Sequence, residues 1–391
     1  MIKSILDNDL YKFAMGNAVF NLFPKLKVRY LFYNRGKTDF PDGFAERLIL
    51  ELGELSRIKM TKSERKFLET SCPYLYPTYL DFLSGYSFNP NELSITQRNG
   101  VLDIEVEGLW YRTILWEVPL MAMISELFYE MTDQRKHNRS KRLNTNLEKA
   151  KFFYKNNIKV ADFGTRRRFS FENQDELIGD FISSVGNEKW FVGTSNVALA
   201  MKYNIKPIGT QAHEWYMAHG ALYGYKLANK LALENWVKIY EGDLGIALPD
   251  TYTTDVFLKN AFNKKYAKLF DGTRQDSSDP IKFANKMAKH YRSLGIYVTD
   301  KDFVFSDGLN IKKIDKIETH CRENGILRTS YGIGTNFTND VGVRPLNMVI
   351  KLDAVHINDE WNPAIKLSDD AGKNTGDKEE IFMANRILKI G

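Results

Sequence analysis

The chain has 391 residues, 43% of them hydrophobic and 13% aromatic, which is enough for two or three packed domains. Its 55 basic and 49 acidic residues leave a net charge of +6, a mild excess that suits phosphorylated substrates and lacks the clustering expected of a nucleic-acid-binding protein. Its two cysteines are too few for a disulfide framework or a zinc set. With no secretory pattern and no apolar run that could span a bilayer, the sequence predicts a soluble cytoplasmic protein without a membrane role.

The first third of the chain mixes strands and helices without the regular strand–helix alternation that is typical of a parallel sheet. Asp7 or Asn8 can cap a helix that carries Tyr11, whose ring either packs on the next element or offers its face to a flat ligand. Residues 93–107 predict a strand pair turned at the favoured dipeptide Asn99-Gly100. Further patterns predict a strand at 25–34, helices at 44–55, 63–70 and 135–155, and a long apolar helix within 110–129.

The pattern changes at residue 158, where short apolar strands begin to end in a small residue followed by a hydroxyl or a carboxylate. These strands are predicted at residues 158–163, 190–192, 205–208, 245–248, 268–270, 303–305 and 330–331. Parallel strands with intervening helices, closed into a barrel, place all such ends on one face, where barrel enzymes have their active sites. The sequence therefore predicts an α/β fold with a TIM-barrel-like ring of strands.

Gly-Thr pairs recur at five of these turns, led by Gly164, Gly193, Gly209, Gly272 and Gly334. A glycine lets backbone N–H groups approach a phosphate closely, so the repeated pair predicts a phosphate-rich ligand. The alternative is a barrel that merely needs tight turns.

Residues 209–219 carry the sharpest chemical signal. A strand leads to Gly209-Thr210, and a helix predicted to begin near Gln211 places His213 in its first turn, where free N–H groups and the helix dipole favour an anion. A neutral imidazole there could accept a phosphoryl group, whereas the plain alternative is a structural histidine. His219 follows six residues later, about 240° around the helix, so the two histidines cannot share a zinc ion.

Charged residues at two other strand ends also suggest an anionic ligand. Arg274 could neutralise a phosphate, and Asp276 with Asp279 could hold a hydrated Mg²⁺ that a pyrophosphate brings, although Asp279 before proline also suits a helix cap. The arginines at 166–168 cannot all be buried without partners, and Phe163 before them could stack on a planar ring. The polar stretch 368–380 predicts a surface loop, with a lid over the site as the alternative.

Together these segments resemble nicotinate phosphoribosyltransferases. The matching stretches span nearly the whole chain in order and are residues 7–12, 162–168, 193–196, 209–219, 248–254, 272–280, 306–310, 331–336 and 366–376. The resemblance implies a type II phosphoribosyltransferase fold, in which an irregular α/β barrel at 126–344 packs on a second α/β domain formed by 1–125 and 345–391. It also implies a homodimer with active sites at the subunit interface.

The family reaction joins nicotinate to phosphoribosyl pyrophosphate, giving nicotinate mononucleotide and pyrophosphate for NAD biosynthesis and salvage. The resemblance implies coupling to ATP hydrolysis, with Mg²⁺ and with His213 as the phosphorylated residue. Tyr11, expected from the partner subunit, and Phe163 would sandwich the pyridine ring. The remaining implied roles are nicotinate and ribose phosphate placement for Arg166, Ser195 and Thr210, substrate contact for Arg274, the metal–pyrophosphate side for Asp276 and Asp279, and the 5′-phosphate region for Asp307, Gly308, Gly334 and Thr335.

Three other functions remain as alternatives. A nicotinamide phosphoribosyltransferase is expected to carry an acidic group after Gly193-Thr194, but Ser195 and Asn196 follow here, and nearby arginines favour a carboxylate on the ring. A barrel aldolase or isomerase would normally need a Schiff-base lysine or paired carboxylates, and the predicted strand ends offer no lysine. A scaffold without chemistry would not need His213, Arg274 and Asp276.

Overall fold

Hydrophobic periodicity places most helices and strands close to where the sequence predicts them. The computed structural model describes residues 1–135 and 138–390. Its helices are α1 (Leu10–Leu22), α2 (Phe44–Leu55), α3 (Lys62–Ser71), α4 (Pro77–Gly85), α5 (Trp110–Thr113), α6 (Glu117–Met131), α7 (Arg139–Asn156), α8 (Phe171–Ile182), α9 (Asn187–Trp190), α10 (Val197–Tyr203), α11 (His213–Tyr223), α12 (Tyr225–Tyr240), α13 (Thr254–Asn260), α14 (Lys264–Leu269), α15 (Pro280–Ser293), α16 (Ile311–Glu323), α17 (Thr335–Thr338) and α18 (Lys378–Leu388). Its strands are β1 (Lys27–Tyr33), β2 (Leu93–Arg98), β3 (Val101–Leu109), β4 (Val160–Asp162), β5 (Phe191–Thr194), β6 (Ile246–Ala247), β7 (Gly272–Gln275), β8 (Asp302–Phe305), β9 (Thr329–Ile333), β10 (Val349–Ile357) and β11 (Glu360–Pro363).

The first of two structural units contains residues 1–24, 30–209 apart from 136 and 137, and 333–351. Strands β2 and β3 form the predicted antiparallel hairpin, in which Arg98 pairs with Val101 across the turn at Asn99-Gly100. Strands β4 and β5 are parallel, and Ala161 pairs with Gly193. Aromatic side chains of α7, α8, α9 and α17 pack beside this pair, with ring centroids 5.0 to 6.1 Å apart between Phe153, Phe181, Trp190 and Phe337.

The second unit contains residues 25–29, 210–332 and 352–390. Its strands β6, β7, β8 and β9 pair in parallel and in sequence order. Strand β10 pairs with β11 in an antiparallel hairpin. Helices α13 to α16 connect or follow the parallel strands, and their buried rings include Phe257, Phe283 and Tyr291. Parallel strands joined by helices confirm the predicted α/β class, while closure of the strands into a barrel stays a prediction.

The division into these units differs from the predicted domain boundaries at 125/126 and 344/345, which stay a prediction. The predicted helix at 135–155 partly covers residues 136 and 137, which lie outside the described part of the chain, and α7 begins at Arg139. No helix in residues 1–135 and 138–390 combines the length and the apolar character that crossing a bilayer requires.

The long apolar helix predicted within residues 110–129 is confirmed as α6. Two predicted strands are wrong. Residues 268–270 do not form a strand, because Asn263 caps α14 by accepting from the Lys265 and Tyr266 amides and the helix runs to Leu269. The predicted strand at 205–208 is a single bridge between Thr194 and Pro207, since proline has no N–H group for a longer ladder.

The five Gly-Thr pairs do not share one structural position. Gly193-Thr194 and Gly272-Thr273 lie inside strands β5 and β7, and both threonines are buried. A Cβ atom on Gly272 would lie 1.9 Å from the Asp302 carbonyl oxygen, so close strand packing requires that glycine. These two pairs therefore favour the structural explanation, in which glycine is needed for close backbone packing, over phosphate binding.

Candidate active site

His213 is the first residue of α11, as the sequence predicts. The N-cap residue, Ala212, has no side chain that could accept a hydrogen bond from the first N–H groups of α11. The next residues, Trp215, Tyr216 and Met217, are buried and fix the first turn in the second unit. The imidazole of His213 is therefore held in the interior, with 4% of the residue exposed.

Both ring nitrogens of His213 have polar neighbours within the second unit. Nδ1 lies 3.0 Å from Thr251 Oγ1, and Nε2 lies 3.0 Å from Asp276 Oδ2 and 2.9 Å from Lys366 Nζ. Burial lowers the pKa of His213 to about 4, and the Lys366 ammonium acts in the same direction against the opposing carboxylates of Asp250 and Asp276. The imidazole is therefore neutral at pH 7, the form with a lone pair that can attack phosphorus.

Replacing Lys366 with methionine tests this electrostatic environment. The lost ammonium should raise the pKa of His213 from about 4 towards its ordinary value of 6.5. Since only the neutral imidazole attacks, ATP-dependent phosphate incorporation by the variant should already fall as the pH drops from 7 to 5. The wild-type protein should show a nearly constant rate over that interval. Measuring initial rates of incorporation against pH would check this, and an unchanged profile would contradict it.

Parallel strand ends bring the partners of His213 together. Asp250 and Thr251 follow β6, Asp276 follows β7, and Ser306 follows β8. Because neighbouring parallel strands end at one edge, residues 26 to 30 positions apart become neighbours there. Ser306 Oγ donates to Asp276 Oδ1 over 2.7 Å. Burial alone would raise the pKa of Asp276, but Arg274, His213 and Lys366 hold it well below its usual range, so Asp276 is an anion.

Several buried polar atoms beside this cluster lack a partner among the described residues. They are Asp250 Oδ1, Arg274 Nε and Gln211 Nε2. Asp250 Oδ1 lies 3.8 Å from His213 Nε2, and Arg274 Nη2 lies 3.9 Å from Asp276 Oδ2. Buried groups without hydrogen bonds are costly, by about 1–3 kcal/mol each, so their concentration at one place indicates a polar ligand.

The loop that begins after Lys366 contacts three strand ends of the second unit. Asp369 accepts from the amide and hydroxyl of Thr254 over 2.7 and 2.6 Å, and Asp370 accepts from the Ser278 amide over 3.0 Å. Lys373 Nζ donates to Asp307 Oδ2 over 2.8 Å, beside Gly308, whose φ of +57° suits glycine. These contacts bring the loop to predicted site residues, and its role as a lid stays a prediction.

The structure confirms that Asp279 caps a helix, α15. Its Oδ1 accepts from the Lys282 amide over 2.8 Å at the start of α15. It also lines a cleft of about 790 Å³ together with Thr253, Lys286 and Asp369. No group of three His, Cys, Asp or Glu side chains within 1–135 and 138–390 could hold a metal ion by itself. The predicted role of Asp276 and Asp279 toward Mg²⁺ stays a prediction, and it requires most ligands to come from pyrophosphate and water.

The first unit brings together Tyr11, Arg166 and Ser195, three of the residues predicted to contact nicotinate. Arg166 Nη1 donates to Glu117 Oε1 over 3.1 Å, and the Tyr11 hydroxyl lies 3.5 Å from Glu117 Oε2. Ser195 Oγ donates to Asp9 Oδ1 over 2.7 Å. Burial raises the pKa of Asp9 despite the opposing Arg166 guanidinium.

That Tyr11 completes the ring site of a partner subunit stays a prediction. Within its own chain, Glu117 Oε2 lies 3.5 Å from the hydroxyl of Tyr11. The segment before it is fixed by backbone bonds, from Leu10 N to Ser195 O over 2.8 Å and from Val197 N to Asn8 O over 3.0 Å. These bonds place α1 beside the end of β5. Gly209 packs against the start of α1, since a Cβ atom on Gly209 would lie 2.8 Å from the Tyr11 backbone nitrogen.

The three consecutive arginines have different environments. Arg168 is fully buried and donates to both oxygens of Asp7 and to Glu126 over 2.7 to 2.8 Å. Its role is structural, because these carboxylates occupy the guanidinium. Arg166 has a side chain 34% exposed, so it is the better placed of the two to meet a ligand.

The other predicted ligand residues are Phe163, Gly334 and Thr335 in the first unit and Thr210 in the second. Phe163 N donates to Ile333 O over 2.8 Å, and a Cβ atom on Gly334 would lie 3.4 Å from the Phe163 carbonyl oxygen. Thr335 begins α17 directly after Gly334. Thr210, three residues before α11 in the second unit, is half-buried.

Sequence reasoning missed Lys366 and Glu117 as site residues. The predicted strand ends offer no lysine, but Lys366 reaches His213 from a segment more than 150 residues away, so that absence does not exclude a lysine from the site. A single lysine in the apolar run 364–367 was the available signal. A different criterion must therefore decide between the enzyme classes.

Comparison with known proteins supplies that criterion. A model described as the nicotinate phosphoribosyltransferase (NAPRTase) family matches residues 158–389, and a model of the N-terminal domain of the same family matches residues 6–125. The chain belongs to the nicotinate phosphoribosyltransferase family. This assignment excludes an aldolase. His213 and Arg166 lie in the region matched by the first model, and Tyr11 and Glu117 lie in the region matched by the second.

Relatives of the family resemble the chain over its full length. The nicotinate phosphoribosyltransferase of Desulforapulum autotrophicum is 51% identical, with 100% of both chains covered. That of Chromohalobacter salexigens is 48% identical, covering 100% of this chain and 99% of the relative. The crystal structure of nicotinate phosphoribosyltransferase from Porphyromonas gingivalis matches with a TM-score of 0.96 and 42% identity, with 100% of both chains covered.

Proposed function

We propose that the chain joins nicotinate to 5-phosphoribosyl 1-pyrophosphate, giving nicotinate mononucleotide and pyrophosphate in NAD biosynthesis and salvage. We extend the proposal to ATP hydrolysis coupled through a phosphohistidine at His213. The observation that carries it is the neutral, buried imidazole at the start of α11, between Lys366 and Asp276, in a chain of this family. The natural setting of such an activity is the cytoplasm.

In the proposed phosphorylation step, an imidazole nitrogen attacks the γ-phosphorus of ATP. The bond to the bridging oxygen breaks, and ADP leaves with the electron pair. The Lys366 ammonium, 2.9 Å from Nε2, would neutralise part of the added charge of about −2. We propose that this charge reorganises the anion site, first favouring substrate binding and later the release of product.

In the proposed transfer step, the ring nitrogen of nicotinate attacks the anomeric carbon as pyrophosphate departs. No protein nucleophile is needed, because the enzyme's contribution is orientation and stabilisation of the leaving group. Arg274, whose Nε has no hydrogen-bond partner within residues 1–135 and 138–390, would contact the pyrophosphate, and Asp276 would face the Mg²⁺ that accompanies it. Asp307, Gly308, Gly334 and Thr335 would lie on the 5′-phosphate side, and the subunits would pair as a homodimer.

The ring substituent decides between nicotinate and the alternative substrate nicotinamide. Ser195 supplies a hydroxyl where nicotinamide enzymes are expected to carry an acid, and it already donates to Asp9. Arg166 offers a cation to a carboxylate. We therefore expect product formation from nicotinate to exceed that from nicotinamide by orders of magnitude, measured by chromatography of the mononucleotides.

Nicotinamide serves as the control substrate in the same chromatographic assay. Comparable rates with the two pyridines would favour the nicotinamide enzyme and contradict the proposed specificity. Incubation with γ-labelled ATP, followed by a search for acid-labile protein-bound phosphate, tests the coupling separately. A protein that forms nicotinate mononucleotide without ever acquiring that label would refute the phosphohistidine and leave the transfer reaction standing.

A further inference from the structure

Glu117 contacts both side chains to which the proposed function assigns the pyridine ring and its carboxylate. One carboxylate oxygen accepts from Arg166 Nη1 over 3.1 Å, and the other lies 3.5 Å from the Tyr11 hydroxyl. Glu117 is thus a link between a predicted stacking ring and a predicted carboxylate-binding cation.

Lys12 also contacts Glu117, at the carboxylate oxygen that faces Tyr11. Its Nζ lies 2.5 Å from Glu117 Oε2, and the lysine is fully buried, with no exposed side-chain surface. The ammonium also lies over the rings of Tyr11 and Tyr30, 5.3 and 5.9 Å from their centroids. A buried carboxylate with two cationic partners has few alternative positions, since leaving either charge unpaired would be costly.

The backbone around Glu117 is also rigidly packed. Glu117 is the first residue of α6, in which nearly every residue from Glu117 to Leu127 is buried. A carboxylate in the first turn of a helix is further stabilised by the helix dipole. Burial opposes ionisation, but Lys12 and Arg166 outweigh it and lower the pKa of Glu117 to about 2, so the carboxylate is charged at pH 7.

We infer that Glu117 is a positioning residue that holds Arg166 and Tyr11 in the geometry which selects a pyridine carrying a carboxylate. This inference rests on the proposed function. Arg166 lies on the short turn Thr165–Arg167, and its long side chain needs a fixed contact to point in one direction. Glu117 supplies that contact through Nη1, and the part of the guanidinium that is exposed can then bind the carboxylate.

Replacing Glu117 with glutamine in the full-length protein tests the inference. The amide keeps the shape of the side chain but removes its charge, so Arg166 loses a charged hydrogen-bond acceptor. The KM for nicotinate should rise by about 10- to 100-fold, the change expected when one hydrogen bond to a charged group is lost. The KM for phosphoribosyl pyrophosphate should change less than about twofold, since the inference gives the exposed part of Arg166 to the nicotinate carboxylate and Glu117 does not contact Arg274, Asp307 or Thr335. Equal increases in both constants, or no increase for nicotinate, would overturn the positioning role.

A second variant guards against misfolding, because the single change leaves Lys12 buried beside a neutral amide. Combining Lys12→Met with Glu117→Gln removes both charges and should show the same selective loss of nicotinate affinity. A double-mutant cycle with Arg166→Gln adds a readout that a merely structural residue would not move. If Glu117 acts through Arg166, the double variant should match Arg166→Gln alone. Fully additive losses would contradict that route.

Glu92 provides a matched control in the same unit. Its carboxylate also accepts from two donors, Arg112 Nε and Trp116 Nε1, over 2.9 and 2.8 Å. Glu92→Gln should lower the melting temperature without changing the KM for nicotinate. Calorimetric binding of nicotinate separates failure of the inference from failure of the proposed function. If wild-type protein formed no nicotinate mononucleotide but bound nicotinate in a way that Glu117→Gln abolished, the positioning role would stand and the reaction would not.

Discussion

Replacing His213 with asparagine should reduce acid-labile phosphate labelling from ATP to background. Asparagine occupies a similar volume but has no imidazole nitrogen that can form a phosphorus–nitrogen bond. ATP-stimulated turnover should fall by roughly 100-fold or more, the loss typical of a removed catalytic group. Transfer without ATP should persist at a low rate, because that step needs no protein nucleophile. Labelling by γ-labelled ATP and product formation with and without ATP are the two measurements.

His219 supplies a matched control on the same helix. It is also buried, burial lowers its pKa to about 4, and its ring contacts Trp215 O and Asn235 rather than the cluster around His213. His219→Asn should therefore lower stability while preserving phosphate labelling. Full ATP stimulation in the His213 variant, or equal loss of labelling in both variants, would refute the assignment of His213.

Replacing Arg274 with alanine should lower kcat by about 10²- to 10³-fold, the range found when a preorganised donor to developing charge is removed. Arg274 is the nearest cation to Asp276 on β7, its side chain is 14% exposed, and its Nε has no partner among the described residues. We expect the loss in kcat because negative charge grows on pyrophosphate only as the bond breaks. Steady-state kinetics with saturating nicotinate and phosphoribosyl pyrophosphate would measure it.

Two further variants sharpen this experiment. Arg274→Lys keeps the charge but loses the two-pronged geometry, so it should recover only part of the activity. Arg328→Ala removes a half-exposed arginine of the same unit that pairs with Asp302, at the start of β8, and kcat should remain within about twofold of wild type. If Arg274→Ala raised KM and left kcat unchanged, Arg274 would stabilise the bound substrate and the transition state equally. That result would contradict a role in leaving-group departure.

Local patterns in the sequence were reliable where one short segment decides its own conformation. The Asn99-Gly100 hairpin, the helix starting at His213 and the Asp279 cap all depend on a few neighbouring residues and backbone hydrogen bonds, and all three are present. The segment 268–270 was misassigned to a strand because so short a run, Lys268-Leu269-Phe270, fits a strand and the end of a short helix equally well. There the Asn263 cap decided the outcome.

The sequence by itself determined the α/β class, the strand-end position of the charged residues and the place of His213 at a helix start, since these follow from periodicity and turn chemistry. Only the tertiary structure decided which charges meet. It placed Lys366 against His213, paired Arg168 with Asp7 and Arg166 with Glu117, and put the Tyr11 hydroxyl beside Glu117. The reason is that burial sets the strength of a charge interaction, and both burial and proximity depend on residues far apart in the chain.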